Sequence, residues 1–415
     1  MTPFKRALLV GLLASGMTGV AVAKEKPAEA AATGAADPKN LSKAGRTVAA
    51  AAQKQDTAGD SAGAIATVKA GYAAGGLNPT DEFFLSQIEL GAANKIKDMV
   101  SLEDAVTRSA ASQFLPAAEK PKYLRNAAAL ALQRKDYAAA TKTYEQLVAL
   151  TPDDADSILN LALLYSDQKQ NSQAVATLEK AIAAKKAKGE VAPEVWYRQR
   201  LKIAFDSKLP AQTNTASTDL VAAYPNPVNW YDALNLFRDS ANGDDQFNLD
   251  TYRLMHSVGA MGPDREWQEY ARLALDKGLP GEAHAILTEG IAVKKLTGTK
   301  PIEKEILGTS TGKIAADKAS LAGLERDSAK AANGKTALGT GDAYFGYGNY
   351  AKAAEMYRIA VSKGGVDLPS ANLRLGASLA MAGDKAGATT ALQAVQGGPR
   401  QQLAQYWLIK VNGKA

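Results

Sequence analysis

Few residues of this 415-residue chain are spaced for chemistry. The first candidate is Gly308-Thr-Ser-Thr-Gly312-Lys313, which has the outline of a phosphate-binding loop. Such a loop needs four residues between its glycines, so that successive amides point into one cradle. It also needs Ser or Thr after the lysine to hold Mg²⁺. Here three residues separate the glycines, Ile314 follows the lysine and no strand is predicted before them. A loop feeding a helix is the expectation. His256 and His284 are the two histidines. A triad needs nucleophile, base and orienting acid from separate elements, and no G-x-S-x-G elbow is present. Both histidines are expected at the surface or in a groove. H-E-x-x-H and D-x-D-x-D-G patterns are missing, which removes the zinc-protease and EF-hand readings. With no cysteine, disulfides, zinc ribbons, iron–sulfur ligation, thiol nucleophiles and a bacterial lipoprotein anchor are excluded. The sequence predicts no catalytic residue, no metal and no cofactor.

An apolar fraction of 46% supports a packed core rather than wholesale disorder. The length corresponds to two to four ordinary domains or one long repeat array. Net charge is +6 and falls to +4 without Lys5 and Arg6. So weak and dispersed a charge argues against nucleic acid, which needs a basic face or stripe.

Residues 1–23 read as an export address. Lys5 and Arg6 precede the apolar run Ala7–Ala14, and small residues lead to Ala21-Val22-Ala23. This order matches a secretory signal peptide, with cleavage predicted after Ala23. No later stretch approaches the length of a membrane span, so none is expected after cleavage. Residues 24–40 are rich in Ala, Pro and charge without apolar periodicity and read as a flexible linker. The predicted location is the periplasm.

What positions the remaining residues is a repeat. Tyr123–Pro152 shows apolar residues at helical spacing, a break at Arg134-Lys135-Asp136, and a second amphipathic run from Tyr137. Ala155–Lys186 repeats the layout, with Ala140 recurring as Ala174 and Tyr144 as Leu178. Thr340–Ala360 carries Gly341, Tyr344, Gly348, Tyr350, Ala353, Tyr357 and Ala360 in the same order, and Leu375, Gly376, Leu379, Ala388 and Leu392 follow. Small residues at Ala128, Ala140, Ala162 and Ala174 let paired helices cross closely. A helix–turn–helix of this period and marking resembles the tetratricopeptide repeat. The resemblance is specific at Tyr123–Lys186 and Thr340–Gln396 and weak elsewhere. It implies an all-α solenoid of antiparallel helix pairs, a right-handed superhelix of eight or nine units. Residues 41–294 form the first repeat block, 295–335 a loop plus connecting helix, and 336–415 a second block with a capping helix at Gln401–Val411. The segment 295–335 reads equally as a hinge helix after a loop or as a poorly conforming repeat.

The resemblance also implies a non-catalytic scaffold whose concave groove, lined by first helices, holds a protein or peptide. Members that bind chaperone tails grip a C-terminal carboxylate with five groove positions, which here fall on Arg125, Ala129, Asn160, Glu194 and Arg198. Arg125, Asn160 and Arg198 have suitable chemistry; Ala129 lacks the amide and Glu194 reverses a needed charge. The other expected peptide-binding residues are Leu159, Tyr197, Asp342, Phe345 and Met381, with Leu163, Leu201 and Leu373 along the same groove. Two alternatives accompany this reading. One is an accessory factor in envelope polysaccharide or outer-membrane assembly. The other, disfavoured, is a peptidoglycan-acting enzyme like the helical lytic transglycosylases. Their acid is a Glu followed by Ser, and no Glu-Ser dipeptide occurs here.

Overall fold

The computed structural model describes residues 36–413. The predicted signal peptide, 1–23, and residues 24–35 of the predicted linker lie outside the described residues. The chain divides into two compact units between Ala192 and Pro193. The segment 295–335 lies within the second.

The first unit comprises α1 (Lys43–Thr57), α2 (Ser61–Ala74), α3 (Pro79–Ile96), α4 (Met99–Ala111), α5 (Lys120–Gln133), α6 (Tyr137–Leu150), α7 (Ala155–Asp167) and α8 (Asn171–Ala187). The second comprises α9 (Glu194–Asp206), α10 (Pro210–Ala223), α11 (Pro227–Ala241), α12 (Asp245–Ser257), α13 (Asp264–Asp276) and α14 (Pro280–Ala292). It continues through the long α15 (Pro301–Lys330) to α16 (Lys335–Gly346), α17 (Tyr350–Lys363), α18 (Leu368–Ala382), α19 (Lys385–Gln393) and α20 (Gly398–Asn412). No strand occurs among the described residues. The fold is all-α, a solenoid-type succession of antiparallel helix pairs.

The turns inside the pairs share one backbone solution. Each contains a single left-handed residue: Gly59, Lys97, Lys135, Lys169, Lys208, Asn242, Gly278, Gly348 or Gly383. That residue reverses the chain after the last helical carbonyl. In most turns an Asp or Asn close behind it then caps the next helix. Asp136, for example, accepts the Ala139 N–H at 3.0 Å, and Asn349 accepts that of Lys352. Four turns place lysine where glycine would be unstrained, with φ of 60°, 62°, 61° and 55°.

Small residues sit where the sequence pattern placed them. Ala128, Ala140, Ala162, Ala174, Ala353 and Ala388 are completely buried. At Gly341 a Cβ would lie 2.7 Å from the Tyr357 ring, and at Gly376 2.5 Å from Leu392. The helices therefore approach closer than any larger residue permits.

One expectation needs correction. Gly308–Lys313 is not a loop: it lies in the middle of α15, which begins at Pro301. Pro301 is preorganised for the first helical position, and Glu303 accepts the Lys300 N–H. Ile306 and Ser310 are buried, while Gly308 and Gly312 face open space. Packing of one face offsets the weak helix propensity of the glycines on the other.

In the first unit one core cluster runs from Ala49 to Leu130, and burial continues through α6 to α8 at Leu147, Ile158 and Leu178. In the second, one continuous core extends from Val221 to Val411. It is continuous because α20 returns to the beginning of its unit. Tyr406 shares a hydrogen bond with Ser217 of α10 at 2.7 Å and packs on Trp230 and Phe237 of α11. Lys410 donates to the Ser257 carbonyl at the end of α12.

Candidate functional site

The even-numbered helices of the second unit turn charged side chains toward one another. Arg253 on α12 forks onto Glu282 of α14, Nε to Oε1 at 2.8 Å and Nη2 to Oε2 at 2.7 Å. Its Nη1 donates to Asp250 at 3.1 Å and to Asp342 of α16 at 3.3 Å. Arg374 on α18 donates from Nε to both oxygens of Asp250 at 3.2 Å and from Nη1 to Asp342 at 3.0 Å. Two tyrosine hydroxyls complete the set, Tyr270 to Glu282 at 2.8 Å and Tyr357 to Asp342 at 2.7 Å. The Arg253 guanidinium also lies 4.5 Å over the Phe345 ring.

All seven of these polar residues are buried or nearly so. Burial alone would lower the Arg253 pKa; the Glu282 charge and its hydrogen bonds outweigh burial and hold it well above the ordinary value. Burial likewise works against charge on Arg374, and the Asp250 and Asp342 carboxylates overcome it. Burial, reinforced by the Glu282 charge, raises the Tyr270 phenol; burial, reinforced by Asp342, raises that of Tyr357. Both tyrosines therefore stay protonated as donors. Two arginines and three carboxylates leave one formal negative charge, spread over two phenolic hydrogen bonds.

Above this network lies a cleft of about 600 Å³, with Asp342 and Arg374 as its floor and Asp244, Lys335, Asp367 and Arg400 on its walls. These wall residues sit at or near the starts of four helices, α12, α16, α18 and α20. Asp244 caps α12 through the Phe247 N–H at 2.7 Å, and Asp367 caps α18 through that of Ser370 at 3.0 Å.

The residues singled out from sequence fall elsewhere or into different settings. Arg125 of α5 is half-exposed and bound to Asp154 at 2.7 Å. Asn160 of α7 is partly exposed and hydrogen-bonds Tyr144, and Leu159 beside it is half-buried. Arg198 of α9 belongs to the second unit, where Glu194 holds it at 2.9 Å and Asp232 of α11 at 3.0 Å. Tyr197 is buried and packs edge-on against Tyr224. Asp342 and Phe345 are buried parts of the network, and Met381 is half-buried against the same core. Sequence reasoning singled out Asp342 as a groove residue and did not single out Asp250, Arg253, Glu282, Arg374 or Arg400. A usable signal was present at one position: Arg374 stands between Leu373 and Leu375, a charge set between apolar residues.

Glu194, Asn229, Arg198, Asp232, Tyr231, Glu266, Gln268 and Glu303 form a ladder between successive odd-numbered helices. Asn229 donates to Glu194 at 2.9 Å, Arg198 to Asp232 at 3.0 Å, and Gln268 to Glu303 at 2.9 Å. Partners lie 34 or 35 residues apart, so each rung ties one repeat to the next. Among the described residues no group of His, Asp and Glu is placed to hold a metal ion, and no helix is long and apolar enough to cross a membrane.

Hairpins of this period, joined by polar rungs at repeat spacing, define a helical-repeat protein. Residues 131–192 match the family model for the tetratricopeptide repeat, and the chain carries tetratricopeptide repeats over that stretch. No curated protein matches the sequence. Solved structures similar to the chain include MamA, at 18% identity, covering 40% of this chain and 89% of that one with a TM-score of 0.25. A second is a MamA fragment from Desulfovibrio magneticus RS-1, at 14% identity, covering 49% and 99% with a TM-score of 0.24. A third is a tetratricopeptide repeat protein from Parabacteroides merdae ATCC 43184, at 12% identity, covering 81% and 100% with a TM-score of 0.23.

Proposed function

We propose that this chain is an exported, non-catalytic scaffold that binds a protein or peptide partner in the periplasm. The observation that carries the reading is the tetratricopeptide match at 131–192, on hairpins that cannot bury their apolar faces singly and so stack into an extended, preformed surface. The binding face assigned to it is that of α5 and α7, where Arg125, Leu159 and Asn160 keep exposed surface. Export rests on the basic start, apolar run and Ala21-Val22-Ala23 site. The test is crosslinking and affinity purification of the tagged chain from the periplasmic fraction, with N-terminal sequencing of the product. A mature chain starting at Lys24, and a co-purifying protein lost with Leu159→Glu, support the proposal. A cytoplasmic, uncleaved chain overturns the location. A polysaccharide recovered without protein overturns the scaffold.

A further inference from the structure

We propose that the cleft of the second unit binds a carboxylate-bearing ligand through Lys335, Arg374 and Arg400. The inference does not depend on the scaffold reading, which concerns the first unit.

By formal charge the lining is balanced, since Asp244, Asp342 and Asp367 face the three cations. Hydrogen-bonding capacity is not balanced. Asp342 already accepts from Tyr357, Arg253 and Arg374. Asp244 accepts from the Phe247 N–H and, at 3.3 and 3.4 Å, from Arg400. The donors are less well supplied. Lys335 Nζ has no acceptor among the described residues, and neither does Nη2 of Arg374, a side chain only 6% exposed at the cleft floor. Arg400 Nε is buried without a partner among the described residues, and its Nη2 meets Asp244 only at 3.3 and 3.4 Å, long for a charge-assisted bond.

The backbone adds to this. The N-cap residues of α16 and α20, helices of 12 and 15 residues, are the glycines Gly334 and Gly397; Asn333 accepts the Lys335 N–H at 3.1 Å and Gln401 that of Gly397 at 2.9 Å, and the positive ends of both helix dipoles lie beside Lys335 and Arg400. A planar carboxylate offers two oxygens to the guanidinium edges and the ammonium. One oxygen of Asp367, Oδ1, has no donor among the described residues, so an amine or hydroxyl beside the carboxylate is also accommodated. The volume of about 600 Å³ suits a small molecule or the end of a peptide.

Both sources share the same group, and the test separates them. All four tryptophans belong to the second unit, so tryptophan-detected melting of the full chain reports on it alone. The probes are succinate, tetra-alanine as free acid, tetra-alanine amide and inorganic phosphate, with affinities from calorimetric titration. Expected is a higher second-unit melting temperature with a free carboxylate and none with the amide. Succinate acting alone assigns a small diacid; the tetra-alanine acid acting alone assigns a chain end. Lys335→Met with Arg400→Gln weakens binding at least about tenfold, the loss of one charge-assisted hydrogen bond. Should the double variant melt early without ligand, Lys335→Met alone, at an exposed first helical position, is the arbiter. No shift with any carboxylate, phosphate binding in their place, or unchanged affinity in the folded variant overturns the proposal.

Discussion

Glu89 makes the first unit sensitive to pH. It lies on α3, 1% exposed, and neither carboxylate oxygen has a partner among the described residues. Lys69 and Tyr72 of α2, Asp104 and Arg108 of α4, and Asp98 at the start of α4 surround it. Burial raises its pKa from 4.5 to about 7, with Lys69 opposing. The folded state therefore holds the proton more tightly than the unfolded chain. Its destabilising contribution is absent below pH 4.5, grows by about 1.4 kcal/mol per pH unit as pH rises toward 7, and levels off near 3 kcal/mol. The lowered carboxylates of this unit, Asp56, Asp81, Asp98, Asp154 and Glu190, act in the opposite sense, but only as pH falls below about 4.5. No histidine occurs before residue 193. Between pH 5.5 and 8 the unit should thus lose about 2 kcal/mol, or roughly 4–8 °C in melting temperature. The first unit also lacks tryptophan, so its melting appears in circular dichroism without a fluorescence change. Glu89→Gln should flatten the pH dependence, and Glu89→Met should flatten it and raise the melting temperature at pH 8. Hydrogen exchange on peptides from α2 to α4 localises the effect. An unchanged slope in Glu89→Met would refute the reasoning.

Lys135→Gly, Lys169→Gly and Lys208→Gly each relieve a left-handed lysine and should stabilise by about 0.5–1 kcal/mol, read from urea midpoints of single variants. Gly91→Ala, in a helix interior with open space around the new methyl, should also gain up to about 1 kcal/mol. Gly376→Ala drives a methyl into Leu392 and should lose about 1–3 kcal/mol in the same assay. Arg253→Met leaves Glu282 buried without its charge partner and should lower second-unit stability by about 3–5 kcal/mol by tryptophan fluorescence.

The hairpins were legible because helical periodicity and turn chemistry coincide. The break at Arg134–Asp136 separates α5 from α6, and Tyr123–Lys186 resolves into four helices at the expected places. The segment after residue 295 read equally as a loop with a connecting helix or as a poorly conforming repeat; it contains the long α15. The start of that helix was not legible, because Gly308 and Gly312 mimic a loop until the buried face with Ile306 and Ser310 is known. The network was hidden for a different reason. Asp250 and Arg253 share a helix, but Glu282, Asp342 and Arg374 come from three others. Their meeting depends on how helices stack, which local spacing does not encode.

That stacking turns on the odd helix α15. Before it, the second helices of the pairs, α12 and α14, supply Asp250, Arg253 and Glu282; after it, the first helices, α16 and α18, supply Asp342 and Arg374. One unpaired helix exchanges which member of a pair faces the shared side. Tyr197 of α9 packs on Tyr224 before the odd helix, and Asp342 of α16 joins the buried network after it. The return of α20 onto α10, α11 and α12 then encloses that shared side. Polar residues that would be solvated in an open stack must instead neutralise one another, which accounts for two forked arginines, three carboxylates and two tyrosine donors in one buried cluster. Where the enclosure stops, at the helix starts around Lys335 and Arg400, charges still balance, but hydrogen-bonding capacity does not, and Arg400 Nε is left without an acceptor.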